Sequence, residues 1–393
     1  MALGAAISAY TTSLFAPELI AEFGWAKSDF ALTGSISLVT LFFVPVAGRF
    51  TDRFGPRVAA SVGFIAVPLS FFAYSMMSGD IRQYFAILFF QHLFGILTTT
   101  IVFARVVVER FDSARGMALS ILMTGAPLMG ALATPILGAI IDEQGWRIGF
   151  RVLAALSAVG GFTAIALMGR TQSTALAIPA EKRRAPSMSM KEFAQLARNP
   201  VFLLLLAGIA LCNVPQIIVM SQLKLVLLEN NAPGQLATWI VSLYAAGVIV
   251  GRFLCGLALD RVPAHIVAIF SLGLPALGYV ALASSFDMAW LLAASVLIIG
   301  LAQGAEGDVG AYLTSRKFSM RHYSFIYSFL IASMGAASAL GALVLSYTLR
   351  ITDSFNTFLI ISAVATIAGA LAFYLTGSFD RVESDAEPLG EPA

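Results

Sequence analysis

Charge is what this sequence has least of. Only 12% of its 393 residues are Asp, Glu, Lys or Arg, against roughly a quarter in an ordinary soluble domain. Apolar residues make up 59%, more than a soluble core can bury. The chain has two cysteines, Cys212 and Cys255; both fall inside apolar runs, which excludes a disulfide framework. The net charge of +2 comes with no basic stripe outside the loops, so nucleic acid is excluded as a partner. Period-2 alternation is missing from the apolar runs, which excludes a β-barrel. No H-E-x-x-H occurs, so a zinc protease has no support, and no metal or cofactor is expected.

What is present is a series of apolar runs near 20 residues long, the length a helix needs to cross about 30 Å of hydrocarbon at about 1.5 Å per residue. They predict an all-α integral membrane protein with twelve transmembrane helices. Six spans are expected at 1–21, 29–49, 58–77, 83–106, 116–140 and 148–168, and six more at 200–222, 235–259, 262–284, 288–313, 322–347 and 354–376. The halves are 1–168 and 200–376, joined by a polar linker at 169–199 and followed by an acidic tail at 377–393. Sixteen basic residues fall on the side shared with the termini and six, Lys224 among them, on the other. By the positive-inside rule both termini are expected in the cytoplasm of a plasma (inner) membrane protein. Apolar character begins at residue 2 without a basic n-region, so the first helix is expected to be its own insertion signal, with a natural N-terminus a few residues longer. The linker carries Lys182, Arg183 and Arg184, and its end spaces Met190, Phe193 and Leu196 or Ala197 as a short surface helix would.

The halves repeat. Gly48, Asp52 and Arg53 follow span two, and Gly256, Asp260 and Arg261 follow span eight, with Asp52 and Asp260 separated by 208 residues. Phe111 and Phe318 keep an offset of 207. The loop GRFTDRFGPR resembles the signature loop of the major facilitator superfamily, and GLALDR resembles its second-half copy. EFGWAKSDF, ERFDSARGMALSILMTGAPLMG and GVIVGRFLCG resemble segments of the monocarboxylate transporter and oxalate/formate antiporter branch. The resemblance implies two pseudo-symmetric six-helix halves, a gating role for the loop residues Gly48, Asp52, Arg53, Asp260 and Arg261, and a substrate carboxylate held by Arg252. The sequence departs from that pattern at Val248, where animal members carry an acidic residue, and at Thr12, where they carry a lysine. Span eleven also lacks the second cation of the oxalate branch.

Charges inside hydrocarbon are costly and usually face a cavity. Arg252 lies eight residues before Asp260, about 12 Å from its helix end, and its planar fork suits a carboxylate; a structural pair with Glu306 or Asp308 is the alternative. Glu306, ten residues before Arg316, sits about 15 Å deep, at nearly the same level. It is the first candidate for the proton-coupling group, with Asp308 and His92 further ones. Asp308 lies about 200° round the helix from Glu306, so the two carboxylates are expected in different sites. Gly300, Gly304, Gly307 and Ala311 form a face for close packing, with Asp308 at its margin as an interhelical anchor, while Gln303, Glu306 and Gly310 form a face toward a cavity. Tyr10, Asn213 and Gln216 fall near mid-span as candidate substrate contacts, with interhelical hydrogen bonds the alternative, and Pro215 is placed to kink span seven.

These features predict a secondary transporter of a small organic anion, a monocarboxylate rather than a dianion. It would work by alternating access in the lipid bilayer, with proton symport in preference to exchange and with a monomer sufficient. The rival is a proton-driven exporter of amphipathic or cationic compounds. Gly116 and Gly125 have an exporter-like spacing, but the following Gly-Pro is absent. An intramembrane enzyme is not expected: AEGD at 305–308 resembles the GxGD of membrane aspartyl proteases, but Ala305 replaces the first glycine and no partner aspartate lies in another span. A non-transporting sensor is a further alternative.

Overall fold

The computed structural model describes residues 1–110, 115–168, 194–284, 288–318 and 323–379. Among these residues all regular structure is helical. Ten helices are long and apolar enough to cross a bilayer, and the bent pair Lys27–Val39 and Leu41–Phe54 makes an eleventh crossing. Ser8–Phe23, preceded by a 3₁₀ turn over Ala5–Ile7, occupies the first-span position and completes twelve. Reversals between spans are tight. Gly55 and Gly145, both at φ 85°, each form the single non-helical residue between two helices, a left-handed backbone that a Cβ disfavours.

Span seven differs from the sequence expectation. It runs from Pro200 to Glu229 instead of ending at 222, with a π-helical turn at Ile218–Gln222 following Pro215. The extra turn of a π-helix is common at functional sites, and here it carries Lys224 into the bundle. The linker's basic cluster, Met190, Phe193, Phe111 and most of the acidic tail lie outside the described residues. Of the expected surface helix, Leu196 is buried. Asn199 then caps span seven, its side-chain oxygen accepting from the amides of Val201 (2.9 Å) and Phe202 (3.2 Å).

The halves meet through spans one and seven, two and eleven, and five and eight. On the side away from the termini one apolar core is shared by both halves, running from Phe15, Phe30 and Phe150 to Ile218, Val241 and Phe358. Toward the terminal side the core splits. One cluster belongs to the second half, around Leu205, Leu259 and Leu313, and another to the first, around Ala59, Phe64 and Phe103. Among the described residues three ion pairs join the halves at the sealed end: Lys27 to Glu229 at 3.2 Å, Lys224 to Asp142 at 3.7 Å and Arg350 to Asp29 at 3.1 Å. Glu229 also accepts from the Ser354 hydroxyl (2.7 Å) and the Phe355 amide (3.0 Å).

The Lys224 side chain is only 3% exposed, so its charge depends on that one carboxylate among the described residues. Removing one member of a buried pair strands the other, whereas removing both is far less damaging. Asp142→Asn is therefore expected to lower the melting temperature in detergent, and adding Lys224→Met to recover most of the loss; equal melting of the single and double variants would contradict this.

Spans eight and ten pack backbone to backbone through glycine. A methyl group at Gly251 would collide with the Leu301 carbonyl, at Gly300 with the Tyr244 carbonyl and at Gly304 with the Val248 carbonyl. Gly307, expected on this face, has nothing within 4 Å of a Cβ position, so it is not part of the close-packed seam. Backbone cannot yield as a side-chain tip does, so Gly251→Ala is expected to destabilise by about 1–3 kcal/mol and Gly307→Ala to be neutral, as read by thermal unfolding of the two variants.

Candidate functional site

The glycine seam brings Arg252 of span eight (Gly234–Leu259) beside Asp308 of span ten (Ala289–Lys317). Arg252 Nε lies 3.7 Å from Asp308 Oδ2, with the side chains 29% and 40% exposed. That distance is an ion pair without a hydrogen bond, and the buried Nε has no hydrogen-bond partner among the described residues. The guanidinium thus has a counter-charge but an unfilled donor. Asp308 also lines a recess of about 540 Å³ with Gly256, Leu259, Asp260 and Tyr312. Tyr10 of span one reaches this region: its ring lies 6.0 Å from Tyr244 and covers Gly130 of span five, and Arg252 acts electrostatically on its hydroxyl.

Glu306 faces elsewhere. Instead of the cavity between halves it occupies a chamber of about 20 Å³ inside the second half, with Cys212, Gln216, Tyr279, Gln303 and Thr366. The carboxylate accepts from Asn213 Nδ2 and from Gln303 Nε2 at 3.1 Å, while Asn213 also donates to the Ile209 carbonyl at 2.8 Å. Arg252 is taken by Asp308, so the acid is held by amides. Gln216 lines the same chamber. Asn213, Gln216 and Glu306 therefore form one group, and Arg252, Asp308 and Tyr10 another, with Tyr244 between them.

His92 belongs to a third location. It lines the large cavity of about 310 Å³ between spans one, two and four and spans seven and eleven. Its Nδ1 lies 3.0 Å from the Leu88 carbonyl; a carbonyl only accepts, so Nδ1 carries the proton and Nε2 is left as the acceptor when the ring is neutral. The loop residues Asp52, Arg53, Asp260 and Arg261 are exposed on the terminal side, and a Cβ at Gly48 or Gly256 would meet nothing within 4 Å.

Sequence reasoning missed Lys224, counted among the outer loops, and the buried amide of Gln91 (4% exposed). For Lys224 a signal existed in the apolar residues that follow it, Leu225 to Leu228, which extend the span past a lysine read as its end.

A twelve-span bundle of two like halves, with ionisable groups at their junction, defines a membrane transporter. The chain belongs to the Major Facilitator Superfamily, whose family model matches residues 1–226 and again 216–392. It is 26% identical over 74% of its length to an agnestins efflux protein of Paecilomyces divaricatus, of which it spans 66%, just under two thirds. It is 24% identical over 96% of its length to monocarboxylate transporter 4 of Gallus gallus, covering 80% of that protein. In structure it is similar to a peptide transporter, with a TM-score of 0.76 at 17% identity over 96% of this chain and 93% of the other.

Proposed function

We propose that the protein carries a small organic anion, a monocarboxylate, by alternating access with proton symport, and that Arg252 holds the carboxylate. The observation that carries the reading is the Arg252–Asp308 pair: an intramembrane arginine whose counter-ion among the described residues lies at 3.7 Å and whose Nε has no hydrogen-bond partner among them. An arriving carboxylate offers the bidentate geometry that Asp308 does not supply. Two anions cannot share one cation without cost, so a proton on Asp308 neutralises the displaced carboxyl, and substrate and proton bind together. Asp308 thereby takes the place of the acidic residue missing at Val248. Glu306, held by Asn213 and Gln303, is the second candidate for the coupling proton and His92 the third. Tyr10 lines the substrate position, whereas Asn213 and Gln216 lie with Glu306 in the second half.

With the termini in the cytoplasm of a plasma membrane, the described conformation is sealed outside and faces inward, and Asp52, Arg53, Asp260 and Arg261 would pair when the inner side closes. A monomer suffices. The alternative, export of amphipathic or cationic compounds, is favoured by the efflux relative, and an amphipathic cargo in particular by the cavity of about 310 Å³, whose described lining contains no Lys, Arg, Asp or Glu; a cationic one would use Glu306 or Asp308.

Uptake of radiolabelled monocarboxylates into proteoliposomes, with and without an inward-acid gradient, tests the reading. Arg252→Ala is expected to abolish uptake. Asp308→Asn is expected to retain exchange but lose gradient dependence, and Glu306→Gln to keep that dependence. Normal uptake by Arg252→Ala sinks the anion reading, and a gradient effect lost only in Glu306→Gln moves the proton to Glu306.

A further inference from the structure

Glu306 of span ten is 4% exposed, and its two oxygens are engaged separately. Oε1 accepts from Asn213 Nδ2 and Oε2 from Gln303 Nε2 at 3.1 Å. The Asn213 amide cannot be turned round, because the same nitrogen donates at 2.8 Å to the Ile209 carbonyl, which only accepts. With an N–H aimed at each oxygen the arrangement matches a carboxylate, whereas protonation would make one of those oxygens a donor. The amides bring no positive charge. No Lys, Arg or His is among the described walls of the chamber, and Arg252 is paired with Asp308. An ionised carboxylate inside hydrocarbon without a counter-charge is costly, so the second half has a charge left to balance.

The chamber beside Glu306 offers a counter-charge its place. Its volume of about 20 Å³ admits about one water-sized guest, and its walls include the oxygen-bearing side chains of Gln216, Tyr279, Gln303 and Thr366. Spans seven and nine both break beside this wall at a proline: Pro215 lies between the lining residues Cys212 and Gln216, and Pro275 is itself part of the lining. Proline has no N–H, so the carbonyls of Leu211 and Ser271, each four residues earlier, lack their helical donor. Hard cations take oxygen ligands, and interrupted helices inside a membrane bundle supply them to sodium from freed carbonyls. A divalent ion fits poorly, since one carboxylate does not balance it and magnesium keeps several waters for which the chamber has no room. Among the described residues no group of three His, Cys, Asp or Glu is placed to hold a transition metal. We infer that the chamber binds a single sodium-sized monovalent cation as the counter-ion of Glu306. The site lies within the second half, apart from Arg252, so it stands independently of the carboxylate reading, and it leaves Asp308 to carry the coupling proton.

The test uses the purified full chain in detergent, in N-methylglucamine chloride that is exchanged for sodium chloride at constant ionic strength. The wild type is expected to bind radioactive sodium saturably, a single ion per chain, and its melting temperature to rise by about 2–4 °C at saturation. Glu306→Gln is expected to lose both responses and Asp308→Asn to keep both. Absence of saturable sodium binding in the wild type, or binding that persists in Glu306→Gln, overturns the inference. So does a wild-type melting temperature that responds to acid and not to sodium, which would put a proton on Glu306 instead. Should Glu306→Gln fail to fold, Gln216→Leu and Tyr279→Phe remove lining oxygens while keeping the carboxylate. Each is expected to weaken sodium binding by about tenfold, and unchanged affinity in both overturns the inference as well.

Discussion

A charge inside hydrocarbon needs a counter-charge, and in this protein the placement of each counter-charge decides what moves. Arg252 and Asp308 are partners within the second half, joined across spans eight and ten. Lys224 and Asp142, Lys27 and Glu229, and Arg350 and Asp29 are partners between halves. A pair within a half survives rocking of the halves and is broken by a competing ligand. A pair between halves is broken by the rocking itself. The first kind suits a binding site and the second a gate.

Packing follows the same division. The shared apolar core lies at the sealed end, where both halves contribute to one cluster, and the separate cores lie toward the termini. Opening the sealed end divides the shared core, at a cost proportional to the apolar area exposed, which closure of the opposite end must offset. The glycine contacts of spans eight and ten hold their backbones together, so under the proposed rocking these helices would move as one body and carry the Arg252–Asp308 pair intact.

The lengths of the apolar runs and the recurrence of Gly-x-x-x-Asp-Arg made the twelve spans and two halves legible, because bilayer thickness constrains sequence directly. The candidate residues were also legible as types: a deep arginine, two carboxylates, a histidine. Their partners were not. Helical angles separate Glu306 from Asp308 but do not say which helix lies opposite each, and the structure turns Glu306 into the second half's interior. Gly307 shows the same limit, since helical spacing puts it with Gly300 and Gly304 but a Cβ there meets nothing within 4 Å. Lys224 was misplaced because a polar residue near a span's end reads as the end. Gln91 carries no signal in sequence: its free nitrogen arises only because Tyr74, seventeen residues away, takes its oxygen.

The central claim is that substrate binding exchanges one carboxylate for another on Arg252, with the displaced Asp308 taking a proton. Infrared difference spectroscopy of the reconstituted protein, recorded as a transported monocarboxylate binds, reads that exchange directly. The account predicts a protonated-carboxyl band that appears with substrate and is missing in Asp308→Asn. The same band persisting in Asp308→Asn, or substrate binding that leaves every carboxylate ionised, would contradict it.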